Sequence, residues 1–160
     1  YRVDFPKVCD LLAKHNYDVK RFLREFHAKK KVSGDDVHTL MAIAMAASYD
    51  PDPAAPLGFH LPFDPRTCEV DEARWRRWRK HDPVHLVDKY AANLRKLKLI
   101  YIDCGTRDQY YLQYGARLLS KLLRQRGIRH MHEEFDDNHS GIDYRLDRSL
   151  PLLYKALMGK

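Results

Sequence analysis

Apolar residues recur at spacings of three and four along the first part of the chain, a pattern that predicts amphipathic helices. Between Val8 and about Lys30 the pattern is interrupted at "HNYD", so we predict two helices there. The next segment, "HTLMAIAMAAS", is apolar almost all round and predicts a buried helix capped by Ser33 or Asp35. Five of the eight prolines then fall within residues 50–67, a loop that can hold neither a helix nor a central strand.

The hydrophobic pattern changes in the second half of the chain. "VDEARWRRWRKHD" and "DPVHLVDKYAANLRK" still predict helices, but "LKLIYIDCG" has a continuous apolar centre, Leu99 to Ile102, typical of a strand buried on both faces. A helical segment that ends at Gly127 follows, then a second strand, "IRHMHEEF", and a closing helix, "LPLLYKALM". Strand, helix and strand within ~30 residues predict a βαβ unit with parallel strands.

Composition narrows the classes of protein that fit. The chain has 160 residues, 44% of them hydrophobic, which is enough for a packed core. No apolar run reaches the ~18 residues that a membrane-spanning helix needs, so we expect no membrane association. Three scattered cysteines without a C-x-x-C pair favour reducing, cytoplasmic surroundings. Because Tyr1 stands where a start methionine would, we interpret the chain as a piece of a longer protein.

Two loops of the predicted βαβ unit carry the candidate chemistry. The strands run parallel, so the loops "CGTRDQY" and "DDNHSG" should lie side by side at the carboxyl edge of the sheet. Asp108 and His139 can then meet, although 31 positions separate them. A carboxylate that orients an imidazole and stabilises its protonated form supplies two of the three members of a nucleophile-activating triad. Asp103 and Asp137 remain open as alternatives for the acid.

The sequence also resembles a known family along nearly its whole length. The stretch from "LIYIDCGTRDQYYLQYGARLL" to "FDDNHSGIDYRLDRSLPLLYKAL" is similar to the C-terminal half of one branch of the α/β-hydrolase fold. That branch includes esterase D and enterochelin-esterase-like enzymes. The likeness extends upstream through "DDVHTLMAIAMAASYDPDPAAPLGFHLPFD" and "HDPVHLV", and it is most specific from Leu99 to Arg145.

The resemblance implies a fold, an activity and a site. The fold would be α/β, with residues 83–160 forming the C-terminal part of a doubly wound α/β-hydrolase sheet and residues 1–82 a mostly helical cap or insertion. The activity would be hydrolysis of a small-molecule carboxylic ester through a serine acyl-enzyme. By the same resemblance, Asp108 matches the triad acid and His139 the triad histidine, and neither a cofactor nor a metal is implied.

The sequence departs from the family because it lacks the nucleophile. It contains no G-x-S-x-G motif and no glycine-rich oxyanion loop. Ser33 in "KKKVSGDD" follows lysines instead of a buried strand, so we reject it as the nucleophile. We therefore expect the catalytic serine upstream of Tyr1. The open edge of the predicted sheet would then be paired by the missing N-terminal half or by another copy of the chain, or it would be covered by a helix.

Three other interpretations stay open. His130 and His132 alternate onto one strand face and, with Asp136 or Asp137, would make a metal site. The net charge of +7 and the segment "RWRRWRK" would suit a nucleic-acid-binding module, although we expect its two tryptophans to pack on the core instead. The third is a non-catalytic interaction protein that kept a hydrolase-like fold after losing its serine.

Overall fold

The computed structural model describes residues 4–159, and the fold within them is mainly helical with one short sheet. The chain divides between His81 and Asp82 into two compact units, one residue from the predicted boundary. The elements of the first unit are α1 (Phe5–Ala13), α2 (Val19–Ala28), α3 (Gly34–Tyr49) and α4 (Glu72–Arg79). Those of the second are α5 (Pro83–Leu94), β1 (Tyr101–Gly105), α6 (Leu112–Gln125), β2 (Met131–Phe135), a 3-10 turn (Asp143–Arg145) and α7 (Leu146–Met158).

Polar side chains set the starts of the helices in the first unit. Asp18 caps α2 by accepting the backbone N–H of Arg21 at 3.0 Å. Ser33 caps α3 through a reciprocal pair of hydrogen bonds with Asp36, which confirms one of the two predicted caps. Asp71 caps α4 by accepting two backbone N–H groups.

The core of the first unit is rich in aromatic side chains. Phe5 stacks obliquely on Phe63, with ring centroids 4.4 Å apart, and meets Trp75 and Trp78 edge-on. Phe22 is fully buried in the same cluster. Edge-to-face aromatic contacts add stability beyond the area that they bury, so this cluster anchors the unit.

The proline-rich loop is held to the first unit by one buried carboxylate. Asp50 is 1% exposed, accepts a hydrogen bond from Arg74 at 2.7 Å and forms a second ion pair with Arg77. Two isolated antiparallel bridges, Pro51 with Phe59 and Phe63 with Val70, give the loop its only strand-like pairing among the described residues. The absence of a helix or a central strand in residues 50–67 agrees with the sequence-based prediction.

The second unit is built on the predicted βαβ unit, which is confirmed. β1 and β2 pair in parallel, with Tyr101 opposite Met131 and Gly105 opposite Phe135. α6 connects the two strands and packs on the sheet, and α5 packs on α6. A small core of Val87, Leu123 and Ile128 lies where these elements meet.

The prediction of a doubly wound α/β-hydrolase sheet is wrong for this chain. Such a sheet needs several parallel strands with helices on both faces, whereas the sheet within residues 4–159 consists of β1 and β2 alone. The physical reason lies in segment length and pattern. Only two segments carry a short strand-like apolar run, and the longer apolar segments, "HTLMAIAMAAS" among them, have helical length and form helices.

The first strand begins later than predicted and is less buried. β1 starts at Tyr101, so Leu99 and Ile100 precede it. All four residues from Leu99 to Ile102 are only half-buried. β1 pairs with β2 on one edge, and no strand of residues 4–159 pairs with its other edge. The pairing that we expected at that edge is therefore not made within the described chain.

Helix α7 carries apolar side chains that the chain leaves exposed. No residue of α7 is buried. Leu146, Leu150 and Leu157 follow one another at helical spacing, and each is at least half exposed. Throughout residues 4–159, no helix is long and apolar enough to cross a membrane.

Candidate functional site

Gly105 shapes the sheet edge at which the two candidate loops meet. It ends β1, and a Cβ there would overlap the carbonyl oxygen of Asp137 and lie 2.8 Å from that of Asn138. Because only glycine lacks this atom, it alone lets the loop after β2 cross so close to the strand end. The backbone N–H of Arg107 donates to the same Asp137 oxygen at 2.9 Å, which joins the two loops.

Asp108 lies buried in the first of these loops. Its Oδ1 accepts the backbone N–H of Tyr110 at 2.8 Å and that of Leu112 at 3.4 Å. The thiol of Cys104 lies 3.9 Å from Oδ2. Burial raises the pKa of the Cys104 thiol, and the Asp108 charge adds to this, so the thiol stays protonated and donates to the carboxylate.

His139 lies in the second loop and contacts Asp108 directly. Its Nδ1 is 2.9 Å from Oδ2 of Asp108, which gives the contact predicted for this pair. The Asp108 side chain is 2% exposed and the His139 side chain is 46% exposed. One end of the imidazole is thus fixed on a buried carboxylate, while much of the rest of the ring is open to solvent.

The electrostatics of the pair define the donor and the acceptor. Burial alone would raise the pKa of Asp108, but the hydrogen bonds from His139 and from two backbone N–H groups outweigh it and hold that pKa below the usual aspartate range. Asp108 is therefore ionised at neutral pH, and Nδ1 of His139 must be the donor. This leaves Nε2 with the lone pair that can take a proton from an incoming hydroxyl.

The two alternative acids, Asp103 and Asp137, form hydrogen bonds with other residues. Asp103 accepts hydrogen bonds from Arg145 at 2.8 Å and from the Tyr101 hydroxyl at 3.0 Å. Asp137 accepts the Tyr144 hydroxyl at 3.1 Å and a backbone N–H of its own loop. Neither forms an ion pair with His139 within the described residues, so Asp108 is the acid that this fold brings to the imidazole.

No serine nucleophile accompanies the pair within residues 4–159. None of the serines there makes a hydrogen bond to the His139 ring. The hydroxyl of Ser140, the next residue, accepts from Gln109 at 3.4 Å instead. The five serines of the chain are Ser33, Ser48, Ser120, Ser140 and Ser149.

The proposed metal ligands are not gathered into one site. His130 contacts Ser120 at 2.8 Å and the carbonyl oxygen of Ile128 at 2.9 Å, and His132 lies 3.8 Å from Glu134. Among the described residues no group of three or more histidine, cysteine or acidic side chains is arranged to hold a metal ion.

The aromatic residues of "RWRRWRK" pack into the first unit, as predicted. Trp78 is buried and Trp75 is half-buried against the same core. Their rings are therefore not presented for stacking on bases. Arg74 and Arg77 are also engaged, because both pair with Asp50.

Two residues that support His139 were missed by the sequence reasoning. The side-chain oxygen of Gln109 accepts the backbone N–H of His139 at 3.0 Å. The ring of Tyr110 meets the imidazole edge-on, with centroids 5.0 Å apart. Both directly follow Asp108 in "RDQY", but their partner is about 30 positions away, and no periodicity in the sequence marks such a contact.

Comparison of the sequence with protein-family models and with curated proteins gives no match. The resemblance to the esterase D branch therefore stays a prediction that rests on the quoted motifs. The geometry of Asp108 and His139 stands independently of it.

Proposed function

We propose that this chain supplies the acid and the histidine of a serine hydrolase that cleaves small-molecule carboxylic esters. His139 acts as the general base that takes the proton of the serine hydroxyl, and later as the general acid that returns a proton to the leaving alcohol. Asp108 orients the imidazole and stabilises its protonated form. Neither a cofactor nor a metal takes part in this chemistry.

One observation carries the proposal, namely the 2.9 Å contact between Nδ1 of a half-exposed His139 and a buried, ionised Asp108. Burying a carboxylate costs free energy. A histidine that only capped a loop would not require a buried carboxylate as its partner. The carboxylate is in turn held by two backbone N–H groups, so the pair is oriented before any substrate arrives.

The serine and the oxyanion hole come from polypeptide outside the described residues. A second copy of this chain carries the same five serines, none of them in a G-x-S-x-G motif, so it does not add the missing chemistry. An upstream segment fits better. The free edge of β1 offers unpaired backbone groups to one of its strands, and unpaired edges of apolar strands are usually covered. Three free thiols, Cys9, Cys68 and Cys104, support a cytoplasmic setting.

Labelling with a fluorophosphonate tests this proposal. We expect the 160-residue chain alone to take no label and to leave short acyl esters intact, since an acid and a base without a nucleophile catalyse little. Co-expression with the polypeptide encoded upstream of Tyr1 should produce both labelling and turnover. Labelling of this chain by itself, or a reconstituted protein without either activity, would contradict the proposal.

A non-catalytic interaction protein is the second candidate, favoured by the exposed apolar residues of α7 and by the free edge of β1. Both features suit a surface that binds another polypeptide. The two functions differ in one result, because an interaction protein would bind the upstream segment without gaining esterase activity.

A further inference from the structure

A second polar cluster lies at the other end of β2 and takes no part in the proposed esterase chemistry. An open cavity of about 370 Å³ is lined by side chains from the end of α6 and from the segment that enters β2. The cavity-lining residues are Ser120, Arg124, Ile128, Arg129, His130 and His132. Apart from Ile128, every one of these side chains is polar or cationic. Small-molecule sites of ~300–1,000 Å³ are common in proteins, so the cavity has the size of a ligand site.

The inner wall of the cavity is a hydrogen-bonded serine and histidine. Nδ1 of His130 donates to the carbonyl oxygen of Ile128 at 2.9 Å, which leaves Nε2 as the acceptor for the Ser120 hydroxyl at 2.8 Å. Ser120 is buried and lies inside α6, so its oxygen is not placed to attack a substrate.

Two arginines at the cavity carry charge that no carboxylate balances. Arg124 makes one hydrogen bond, to the Ser120 hydroxyl at 3.2 Å. Neither Arg124 nor Arg129 forms an ion pair within residues 4–159. Five of the other six arginines of the second unit bind carboxylates, and the sixth, Arg95, donates to the carbonyl oxygen of Arg126. Those five are Arg107, Arg117, Arg126, Arg145 and Arg148.

His132 also lines the cavity, and one of its ring nitrogens has no hydrogen-bond partner among the described residues. Its Nε2 is buried without a hydrogen-bond partner, and the Glu134 oxygen near it is 3.8 Å away, beyond hydrogen-bond distance. A buried polar atom without a hydrogen-bond partner lowers the stability of the fold. An anion in the cavity would be stabilised by the two guanidinium groups.

We infer that this cavity binds the phosphoryl group of a small phosphate monoester. Guanidinium groups match the oxygens of a phosphoryl dianion in pairs, and the two arginines, which no carboxylate neutralises, give several charge-assisted donors. The cavity is larger than a phosphate ion, so it has room for part of an organic group. The site is separate from Asp108 and His139, and its existence does not depend on the esterase proposal.

Titration of the 160-residue chain with phenyl phosphate tests the inference, read from the backbone amide NMR signals of Ser120 to His132. Inorganic phosphate, sulfate and acetate at matched ionic strength are the comparison probes. We expect saturable shifts confined to this segment, with phenyl phosphate binding more tightly than acetate. Phosphate binding as tightly as phenyl phosphate would show that the organic group is not recognised and would overturn the monoester assignment.

The paired variant Arg124→Gln with Arg129→Gln should weaken phenyl phosphate binding by roughly tenfold or more, since each lost charge-assisted bond is worth about a factor of ten. The matched control, Lys96→Gln with Lys121→Gln, removes the same charge from exposed positions outside the cavity and should leave the affinity unchanged. All four side chains are exposed, so both variants should fold. Equal losses in the two variants, linear shifts that chloride reproduces, or covalent labelling of Ser120 by a fluorophosphonate would each overturn the inference.

Discussion

The two units of the chain differ in how completely they bury their apolar residues. Among residues 4–81, twelve buried hydrophobic residues form one continuous core. Among residues 82–159, the corresponding core consists of Val87, Leu123 and Ile128. Of the large hydrophobic residues that are exposed in the described chain, three belong to the first unit and fourteen to the second. The first unit buries most of its large apolar side chains in its own core, whereas the second leaves many of them exposed to solvent.

This difference bears on where the chemistry lies. Asp108 and His139 belong to the second unit, which also has the free edge of β1 and the exposed face of α7. The candidate pair thus lies in the unit that leaves more of its apolar residues exposed. Under the proposed function, one further polypeptide segment covers these residues and brings the serine.

The largest expected effect compares a core residue of the first unit with an apolar residue of α7. Phe22→Ala removes a fully buried ring and should lower the free energy of unfolding by about 3–5 kcal/mol. Leu157→Ala changes a side chain that is 67% exposed, so the change should stay within about 0.5 kcal/mol. Urea denaturation of both variants checks this. Similar losses would show that α7 is packed after all.

A second prediction concerns the buried carboxylate of the first unit. Arg74→Gln with Arg77→Gln leaves Asp50 buried without a cationic partner, which should cost about 3 kcal/mol of stability. The control, Arg76→Gln with Arg79→Gln, removes two exposed charges from the same helix and should cost less than about 0.5 kcal/mol. Thermal unfolding at one salt concentration compares the two. A control as unstable as the test variant would refute the assigned role of Asp50.

The same pair of variants separates packing from nucleic-acid recognition. If "RWRRWRK" bound RNA or DNA, the exposed Arg76 and Arg79 would carry that binding, and their loss would abolish a salt-dependent affinity. We expect no such affinity in the parent chain, as measured by fluorescence anisotropy with a labelled oligonucleotide. Tight binding that disappears in the control variant would restore the nucleic-acid interpretation.

A third prediction tests the close approach of the two loops. Gly105→Ala places a methyl group against the backbone of Asp137 and Asn138, so it should destabilise the second unit by about 1–3 kcal/mol and shift the amide signal of His139. Gly115→Ala, in α6, has no atom within 4 Å of the new Cβ and should be neutral or stabilising. Loss of stability in Gly115→Ala alone would contradict the geometry.

The smallest expected effect is a pH dependence. The folded pKa of Asp108 lies below its ordinary value, so its stabilising contribution is present above that value and is lost as the pH falls through the folded pKa. The stability gap between the parent chain and Asp108→Asn should therefore shrink below about pH 4. The exposed Asp147→Asn serves as the control. A gap that stays constant from neutral pH to pH 3 would argue against an ionised, hydrogen-bonded Asp108.

The sequence predicted local structure and the meeting of Asp108 with His139, because both follow from short-range rules. A period of three to four predicted the helices, and parallel strands must place their following loops at one edge. The sequence left Ser33 and Asp35 open as caps of α3, and the reciprocal hydrogen bonds with Asp36 identify Ser33 as the cap.

The size of the sheet was predicted wrongly because the expectation came from a family resemblance and not from strand-like segments in these residues. The half-burial of Leu99 to Ile102 was missed for a related reason. An apolar run shows that burial of a strand would be favourable. Whether the strand is buried depends on the elements that pack against it. The support of His139 by Gln109 and the cavity at Ser120 depend on side chains brought together by packing, which no local pattern encodes.

The triad proposal is tested most directly by the rate of ester hydrolysis after His139→Ala in the protein reconstituted with its upstream segment. We expect a loss of kcat/KM of several orders of magnitude, typical of a missing triad base. His85→Ala, which changes an exposed histidine in α5 of the same unit, should leave the rate unchanged. A reconstituted enzyme that keeps its rate without His139 would contradict the role of this histidine as general base.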